Sequence, residues 1–346
     1  MPNKDSRATI PPSAGRAWRL LWLALVLSGA GFAQPPLQVV ATTAMVGDVA
    51  KAVAGECAVV VTLMGPGTDP HLYRASASDV AALAAADVIL YSGLGLEGRL
   101  ATALTELGKR VTTAAVAELA VPKGERLVHP SGVADPHAWL SAAAWAGTAR
   151  VIAELLAAEL TARAPDGASD CVEGLAERAA AYEQRVLALH DWAKATLASV
   201  PRERRVLVTA HDAFHYFGRA YDVEVVGIQG LSTDSEAAVA DVRRVADLVV
   251  TRGVGALFVE STIDPRTVLA VLDAVASRGG TAVLGPELYG DAMGVEGSSA
   301  GTYLGMLVSN VTVITRALGG EVLPLHTSVA EWVTILPAAS SGEGAK

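Results

Sequence analysis

The sequence predicts an α/β protein of two lobes, each a small, mostly parallel sheet flanked by helices, joined by one long rigid helix. Three observations support this fold class. Short apolar strands alternate with Ala-rich helical stretches, this alternation occurs twice along the 346 residues, and an unbroken helical pattern over residues 170–200 separates the two sets. Continuous apolar strands are typical of parallel sheets that helices cover on both faces.

Residues 1–33 differ in composition from the rest of the chain. Arg7, Arg16 and Arg19 precede an apolar run that closes on small residues ending at Ala33. This order is typical of a cleavable signal peptide, and the apolar stretch of about 14 residues is short of the ~20 that span a bilayer. We therefore expect export to the periplasm, with no lipid anchor because neither cysteine lies at the cleavage site.

Residues 34–169 form the predicted first lobe and residues 201–337 the second, followed by a disordered tail over residues 338–346. Runs rich in Val, Ile and Leu predict the strands, and Ala-rich or periodic runs predict the helices between them. The predicted strands are Leu37–Thr42, Ala58–Leu63, Asp87–Ser92, Arg205–Thr209, Val223–Ile228, Ala256–Glu260 and Thr281–Leu284. The predicted helices include Ala75–Ala86, Ser235–Arg252 and Pro265–Arg278.

The helix between the lobes is predicted from its start signal, its apolar period and its stop. Asp170 is a candidate cap, and Glu173 follows three residues later. Apolar residues recur at helical spacing up to Pro201, which ends the pattern. They are Val172, Leu175, Ala179, Val186 and Leu189. About 28 residues at ~1.5 Å each predict a rod of about 42 Å that would restrict motion between the lobes.

The chain has two cysteines, Cys57 and Cys171. A disulfide between them is one possibility in an oxidising compartment. We expect two buried free thiols instead, because the first lies at a predicted strand and the second at a helix start.

Three histidines lie where a loop meets an ordered element. His71 and His137 each end an Asp-Pro-His triplet, and His211 follows a predicted strand and precedes Asp212. The aspartate beside each histidine can orient its imidazole, as metal-bound histidines require. Ligand sites in α/β folds lie at the carboxyl ends of parallel strands. The pattern indicates a divalent-metal site.

Composition excludes several other classes of protein. Apolar residues make up 51% of the chain, charged residues 18%, and the formal charge is −9. A disordered chain would be less apolar, and a nucleic-acid-binding surface would need excess Lys and Arg. We expect no nucleic-acid partner.

The sequence resembles the zinc- and manganese-binding solute receptors of ABC transporters from about Val39 to about Thr315. The matching segments are Gly65–His71, Gly93–Glu97, Asp135–Trp139, His211–Tyr216, Gly230–Thr233, Phe258–Ser261, Glu287–Gly294 and Gly301–Tyr303. The resemblance implies two parallel-sheet lobes joined by the long helix. It implies His71 and His137 as ligands from the first lobe and His211 and Asp291 from the second. It further implies one Zn²⁺ or Mn²⁺ per chain, delivered to a membrane permease, and we expect a monomer.

The choice of metal follows from residues within the resemblance. Manganese receptors of this family tend to carry glutamate at the third ligand position, where this chain has His211, and this favours zinc. Zinc receptors often carry a long His- and Asp-rich loop between the first two ligands. Here Val121–Ala134 contains only His129, so manganese stays a credible cargo.

Several residues have a second interpretation. His215 lies four residues after His211 and could form a zinc pair with it, although the resemblance gives no ligand there. Glu260 is expected to support or pack rather than to ligate. His129, His190 and His326 lack marked surroundings, and we expect them to be solvated.

Three further functions stay open as alternatives. Gly93–Gly98 fits a dinucleotide fingerprint, but it follows a late strand, and an exported protein meets little NAD. An exported zinc hydrolase would use Asp291 or Glu260 as general base, but the sequence has no His-Glu-x-x-His motif. A metal-dependent adhesin is the third alternative, since some relatives were first described as adhesins.

Overall fold

The structure, a computed structural model, describes residues 35–163 and 169–333. The strands are β1 (Leu37–Ala41), β2 (Ala58–Thr62), β3 (Val88–Tyr91), β4 (Thr112–Ala115), β5 (Val206–Thr209), β6 (Glu224–Gly227), β7 (Ala256–Phe258) and β8 (Val283–Leu284). The helices are α1 (Ala44–Ala54), α2 (Ala77–Ala85), α3 (Ala101–Leu107), α4 (Val116–Ala120), α5 (Ala142–Ala146), α6 (Thr148–Arg163), α7 (Ser169–Leu197), α8 (His215–Tyr221), α9 (Val239–Arg252), α10 (Arg266–Ala276), α11 (Tyr303–Ala317) and α12 (Thr327–Val333).

Two of the predictions concern the ends of the chain. The predicted signal peptide over residues 1–33 and the predicted tail over residues 338–346 lie outside the described residues. Within the described part of the chain, no helix has both the length and the apolar character that crossing a membrane requires.

Each lobe contains one parallel sheet of four strands, and the two sheets have the same strand order. The orders are β2-β1-β3-β4 and β6-β5-β7-β8, so the first strand of each lobe lies inside its sheet. All the strand pairs are parallel, and their carboxyl ends therefore meet at one edge of each sheet. The predicted fold class is confirmed.

Strand β4 was not predicted. Its sequence, Thr-Thr-Ala-Ala, lacks the Val, Ile and Leu run that identifies the other strands, and only one of its residues is buried. It pairs with β3 at the sheet edge, where backbone hydrogen bonds rather than apolar side chains hold it. Tertiary pairing thus forms a strand that local propensity does not favour.

Helix α7 is the predicted rod, and its 29 residues correspond to about 44 Å. The predicted apolar face is buried at Leu175, Ala179, Val186 and Leu189, whereas Val172 is half-buried. Asp170 lies in the first helical turn rather than capping it, because the helix begins at Ser169. Its acidic side chain still faces the positive end of the helix dipole.

One end of α7 is fastened to the first lobe and the other end to the second. In the first half, Arg178 donates to the carbonyl oxygens of Val53 and Ala54 at 2.7 and 3.0 Å. In the second half, the indole of Trp192 donates to the carbonyl of Leu323 at 2.9 Å. The apolar face of α7 belongs to one core cluster that continues into both lobes. Both lobes therefore pack against the same helix.

Cys57 and Cys171 form a disulfide with a Cα–Cα distance of 5.9 Å, so the expectation of two free thiols was wrong. Cys57 ends a short 3-10 helix after α1, and Cys171 lies in the first turn of α7. The packing of α7 against α1 brings the two residues together. That packing could not be predicted from the separate strand and helix patterns.

A candidate metal centre between the lobes

His71 lies in the loop that follows β2. Asp69 fixes this loop by accepting hydrogen bonds from the backbone N–H groups of His71 and Leu72 at 2.8 and 3.4 Å. Its other carboxylate oxygen accepts from the hydroxyl of Thr233, in the second lobe, at 2.6 Å. The sequence predicted that Asp69 would orient the imidazole. Asp69 holds the backbone of His71 instead and ties this loop to the opposite lobe.

His137 follows a short hairpin and precedes a 3-10 helix over Ala138–Leu140. Asp135 Oδ1 accepts from the backbone N–H of His137 at 2.9 Å and lies 2.8 Å from its ring Nδ1. A proton on Nδ1 leaves Nε2 with its lone pair free for a metal. The second Asp-Pro-His triplet therefore orients its imidazole in the predicted way.

His211 follows β5 by two residues, and its partner is Glu260 rather than its neighbour Asp212. Glu260 Oε1 accepts from the backbone N–H of His211 at 3.0 Å, and Oε2 lies 2.5 Å from the ring Nδ1. The register of β5 and β7 pairs Thr209 with Phe258. His211 and Glu260, each two residues further along its chain segment, therefore lie side by side.

Asp291 lies in a loop that three contacts hold in place. The side-chain amide of Asn310 makes two hydrogen bonds with the backbone of Tyr289. It accepts from the N–H at 2.9 Å and donates to the carbonyl at 2.7 Å. The indole of Trp139, from the first lobe, donates to the carbonyl of Gly290 at 2.8 Å. Gly290 lies so close to Glu260 that a Cβ would be 2.4 Å from Oε2, so a side chain there would displace the carboxylate.

The structure brings His71, His137, His211 and Asp291 together at the boundary between the lobes, with one ligand atom from each lying within 4.8 Å of all the others. Asp291 Oδ2 lies 3.5 Å from Nε2 of His71 and 3.2 Å from Nε2 of His211. Its Oδ1 lies 3.4 Å from Nε2 of His137. The Nε2 atoms of His71 and His137 are 3.3 Å apart. Four donors thus face one common point.

All four residues are buried, and His71, at 5%, is the most exposed of them. Among the described residues, Nε2 of His211 and both carboxylate oxygens of Asp291 have no hydrogen-bond partner. Buried polar atoms without partners are costly, and a bound cation removes that cost. A cavity of about 100 Å³ is lined in part by His71.

The electrostatics of the cluster depend on Asp291 within it and on Glu260 beside it. Burial would raise the pKa of Asp291, but the nearby imidazoles, with His211 first, hold it below the usual range. Burial lowers the pKa of His71. Burial would also lower the pKa of His211, but Glu260 and Asp291 raise it well above its usual value. Both carboxylates therefore favour the protonated form of His211.

The other histidines lie outside the cluster. His215 faces Asp212 and Asp135 rather than joining His211, with Nε2 3.4 Å from Asp212 and Nδ1 3.8 Å from Asp135. His326 is exposed, as expected. His190 is half-buried against Tyr221, with ring centroids 5.4 Å apart, so the expectation that it is solvated was wrong.

The glycine-rich loop after β3 is closed by carboxylates. Glu97 accepts from the N–H groups of Ser92 and Gly93 at 2.7 and 3.1 Å, and Glu118 accepts from that of Leu94 at 2.8 Å. These are the backbone donors that would hold a pyrophosphate in a dinucleotide-binding loop. In this chain the carboxylates of the two glutamates accept these hydrogen bonds in place of a pyrophosphate.

Comparison with known proteins identifies the family. Residues 39–317 match the ZnuA family, described as the periplasmic component A of a zinc-uptake complex. The chain belongs to this family. The resemblance to metal receptors of ABC transporters, predicted from the sequence, is thereby confirmed, and the chain is the metal-binding component of such an uptake system.

Two relatives carry different metals in their names. The chain is 39% identical over 306 residues to the manganese-binding lipoprotein MntA of Bacillus subtilis, covering 86% of this chain and 97% of the relative. It is 40% identical over 280 residues to the zinc-binding protein TroA of Treponema pallidum, covering 81% and 88%. The structure of that treponemal protein superposes with a TM-score of 0.77, over 82% of this chain and 99% of the other.

Proposed function

We propose that this chain binds one Zn²⁺ through His71, His137, His211 and Asp291 and delivers it to the permease of an ABC transporter. The spacing of the four donors carries the proposal. Two donors about 2.1 Å from a tetrahedral metal lie about 3.4 Å apart. The four separations described above for the cluster run from 3.2 to 3.5 Å.

The chemistry of the donors also supports zinc. Three imidazoles and a carboxylate are a typical donor set for Zn²⁺. One feature favours manganese as a second candidate. Both oxygens of Asp291 face the cluster without hydrogen-bond partners among the described residues, so the chain offers a fifth donor that Mn²⁺ could use.

The proposal assigns the chain a carrier's role without catalysis. A buried tetrahedral shell of four protein ligands leaves no position for an activated water, whereas catalytic zinc sites keep one open. The burial of His137, His211 and Asp291 supports this assignment. Turnover of a model ester or peptide by the zinc-loaded chain would contradict it.

Export to the periplasm is part of the proposal. Arg7, Arg16 and Arg19 before the apolar run are typical of a signal peptide. The disulfide between Cys57 and Cys171 supports an oxidising compartment. The boundaries 34–169, 170–200 and 201–337 are our proposal for the two lobes and the helix between them.

Calorimetric titration of the metal-free chain with Zn²⁺ and Mn²⁺ tests the proposed cargo. We expect one tight Zn²⁺ site, with Mn²⁺ binding more weakly, because the donor spacing suits a tetrahedral ion. His211→Ala should weaken zinc binding by more than about a hundredfold, since a buried ligand is lost. The matched control is His215→Ala, four residues away and outside the cluster, which should change that affinity by no more than a few-fold. Equal losses from both variants would contradict the ligand assignment, and tighter binding of Mn²⁺ would favour the second candidate.

A further inference from the structure

The cavity at His71 is lined by parts of both lobes. Its volume of about 100 Å³ has room for several water molecules. Besides His71, its lining includes residues 94–96 and Pro136 from the first lobe and Leu231, Ser232 and Asp234 from the second. The side chain of Asp234 is 53% exposed, so the cavity extends from the protein surface to a candidate ligand of the buried cluster.

The first-lobe side of this cavity is firmly held. Residues 94–96 belong to the glycine-rich loop after β3, whose backbone N–H groups donate to Glu97 and Glu118. Glu97 is buried and also accepts from the hydroxyl of Thr42 at 2.8 Å. Hydrogen bonds to buried carboxylates are strong, so this side of the cavity resists opening.

The second-lobe side belongs to a loop with sparse backbone bonding. Residues 231–237, the flap, lie between β6 and α9 and contain no helix or strand. In the part of the chain that the structure describes, the flap makes no backbone–backbone hydrogen bond. Asp234, Ser235 and Glu236 are exposed. Segments with few backbone bonds and much exposed surface open locally at a low free-energy cost.

Two side chains of the flap bond to the first lobe. The hydroxyl of Thr233 donates to Asp69 Oδ2 at 2.6 Å, and the guanidinium of Arg99 donates to Asp234 Oδ1 at 2.8 Å. The other oxygen of Asp69 accepts from the backbone N–H of His71. The closed flap is therefore bonded next to His71 on one side and next to the glycine-rich loop on the other.

Separation of the two lobes is a less favourable route to the cluster. Both lobes pack against α7, and the buried hydrogen bond from Trp139 to Gly290 joins them directly. Opening of the flap breaks the two side-chain bonds, one of which, between Arg99 and Asp234, is already largely exposed. Local opening therefore requires less free energy than separation of the lobes.

We propose that the flap closes the cavity over His71, and that its bonds through Thr233 and Asp234 set the rates at which the metal enters and leaves the buried cluster. The inference rests on the proposed function, because it takes the four-residue cluster as the metal site. Thr233 and Asp234 are positioning residues that do not ligate the ion. A change that weakens the closed flap equally with and without metal accelerates entry and release by the same factor and leaves Kd unchanged.

Stopped-flow measurement of Zn²⁺ association with the full chain, and of Zn²⁺ release to excess chelator, tests the flap. Thr233→Val keeps the side-chain volume and should raise both rate constants about tenfold, because a hydrogen bond to a carboxylate is lost. Arg99→Ala should raise both about two- to threefold, since an exposed ion pair contributes little. The calorimetric Kd should stay within about twofold in both variants.

Two matched controls come from the first lobe, away from the lining of the cavity. Thr105→Val removes a hydroxyl that donates to the carbonyl of Ala101 at 2.8 Å. Lys109→Ala removes an exposed ion pair with Glu106 at 2.7 Å. Both controls should leave the two rate constants unchanged.

Reaction of the metal-free chain with diethyl pyrocarbonate, followed by peptide mass spectrometry, measures flap opening without metal. Thr233→Val should raise the modification rate of His71 about tenfold. The exposed His326 should react at the same rate in both chains and serves as the internal reference.

The outcomes separate the flap from the proposed function. Unchanged zinc rate constants in Thr233→Val would overturn the flap. A faster release alone, with a weaker Kd, would also overturn it, because Thr233 would then support the ligand loop through Asp69. In a wild-type chain without tight zinc binding, faster modification of His71 in Thr233→Val would support the flap and contradict the proposed function, and unchanged modification would overturn both. If Thr233→Val fails to fold, the same readouts in Arg99→Ala decide, since that side chain is 35% exposed.

Discussion

The indole of Trp139 and the carbonyl of Gly290 form a buried 2.8 Å hydrogen bond across the boundary between the two lobes. Trp139 lies two residues after His137, and Gly290 directly precedes Asp291. The bond therefore fixes a candidate ligand of one lobe relative to a candidate ligand of the other. Tyr303 adds a second link, because its hydroxyl donates to the carbonyl of Trp139 at 2.8 Å.

Trp139→Phe should lower zinc affinity about 5- to 30-fold, because the carbonyl of Gly290 loses its buried donor at a cost of about 1–2 kcal/mol. The matched control is Trp145→Phe. Trp145 is also fully buried, and its indole N–H has no hydrogen-bond partner among the described residues. The two variants lose similar volume, and only the first loses a hydrogen bond. Calorimetric zinc titration of both variants measures the difference, and equal affinities would contradict the role given to Trp139.

Glu260→Gln should weaken zinc binding about 10- to 100-fold, the range typical for loss of a carboxylate behind a metal-bound histidine. The amide still reaches the backbone N–H of His211 but removes the negative charge 2.5 Å from its Nδ1. The matched control is Glu296→Gln, an exposed acid of the second lobe. Unchanged zinc affinity in Glu260→Gln would show that the carboxylate does not support His211.

Zinc binding should release about one proton near pH 7, mainly from His211. Glu260 and Asp291 raise the pKa of His211 well above its usual value despite burial, and an imidazole must be neutral to ligate. Calorimetry in buffers of different ionisation enthalpy measures the released protons. A value of zero would contradict the protonated state of the metal-free cluster.

The same linkage fixes the direction of the pH dependence. A histidine with a raised pKa stabilises the metal-free fold fully below its unfolded value, and this stability is lost as pH rises through the folded value. Apparent zinc affinity should change in the opposite direction and increase with pH. As the pH falls, this affinity should decrease about tenfold per pH unit for each histidine that becomes protonated. His71, whose pKa burial lowers, should begin to compete only at lower pH than His211.

Replacing both cysteines by serine should lower the free energy of unfolding by about 2–5 kcal/mol, since the bond between Cys57 and Cys171 closes a long loop of 114 residues. Zinc affinity should stay within about twofold, because Cys57 precedes β2 and lies at the sheet edge opposite the loops that carry the ligands. Denaturant unfolding of the oxidised wild type and the double variant measures the change. Equal unfolding free energies would show that the disulfide does not stabilise the fold.

The sequence predicted the four candidate ligands because each lies in a motif that resembles the metal receptors, and the structure brings these four side chains together. Their supporting residues could not be found so directly. Asp212, next to His211 in the chain, was the predicted partner of that imidazole. Glu260 is its partner instead, because β7 lies beside β5 in the sheet. Strand order would have been needed to see this. It is a property of the packed sheet and not of either strand.

The errors in the fold have the same physical origin. Strand β4 forms because β3 offers it an edge, and the Cys57–Cys171 bond forms because α7 packs on α1. Local patterns predicted the other seven strands and the long helix to within a few residues, since these elements have strong apolar patterns. Contacts between elements decided the rest, including the role of Asn310 in fixing the loop of Asp291.

The central claim is that one divalent ion binds at the common point of His71, His137, His211 and Asp291. Anomalous diffraction at the zinc absorption edge, from crystals of the full chain grown with one equivalent of Zn²⁺, tests it most directly. We expect a single strong peak about 2.0–2.2 Å from the three Nε2 atoms and a carboxylate oxygen of Asp291. A strong peak elsewhere, or no peak between the lobes, would contradict the claim.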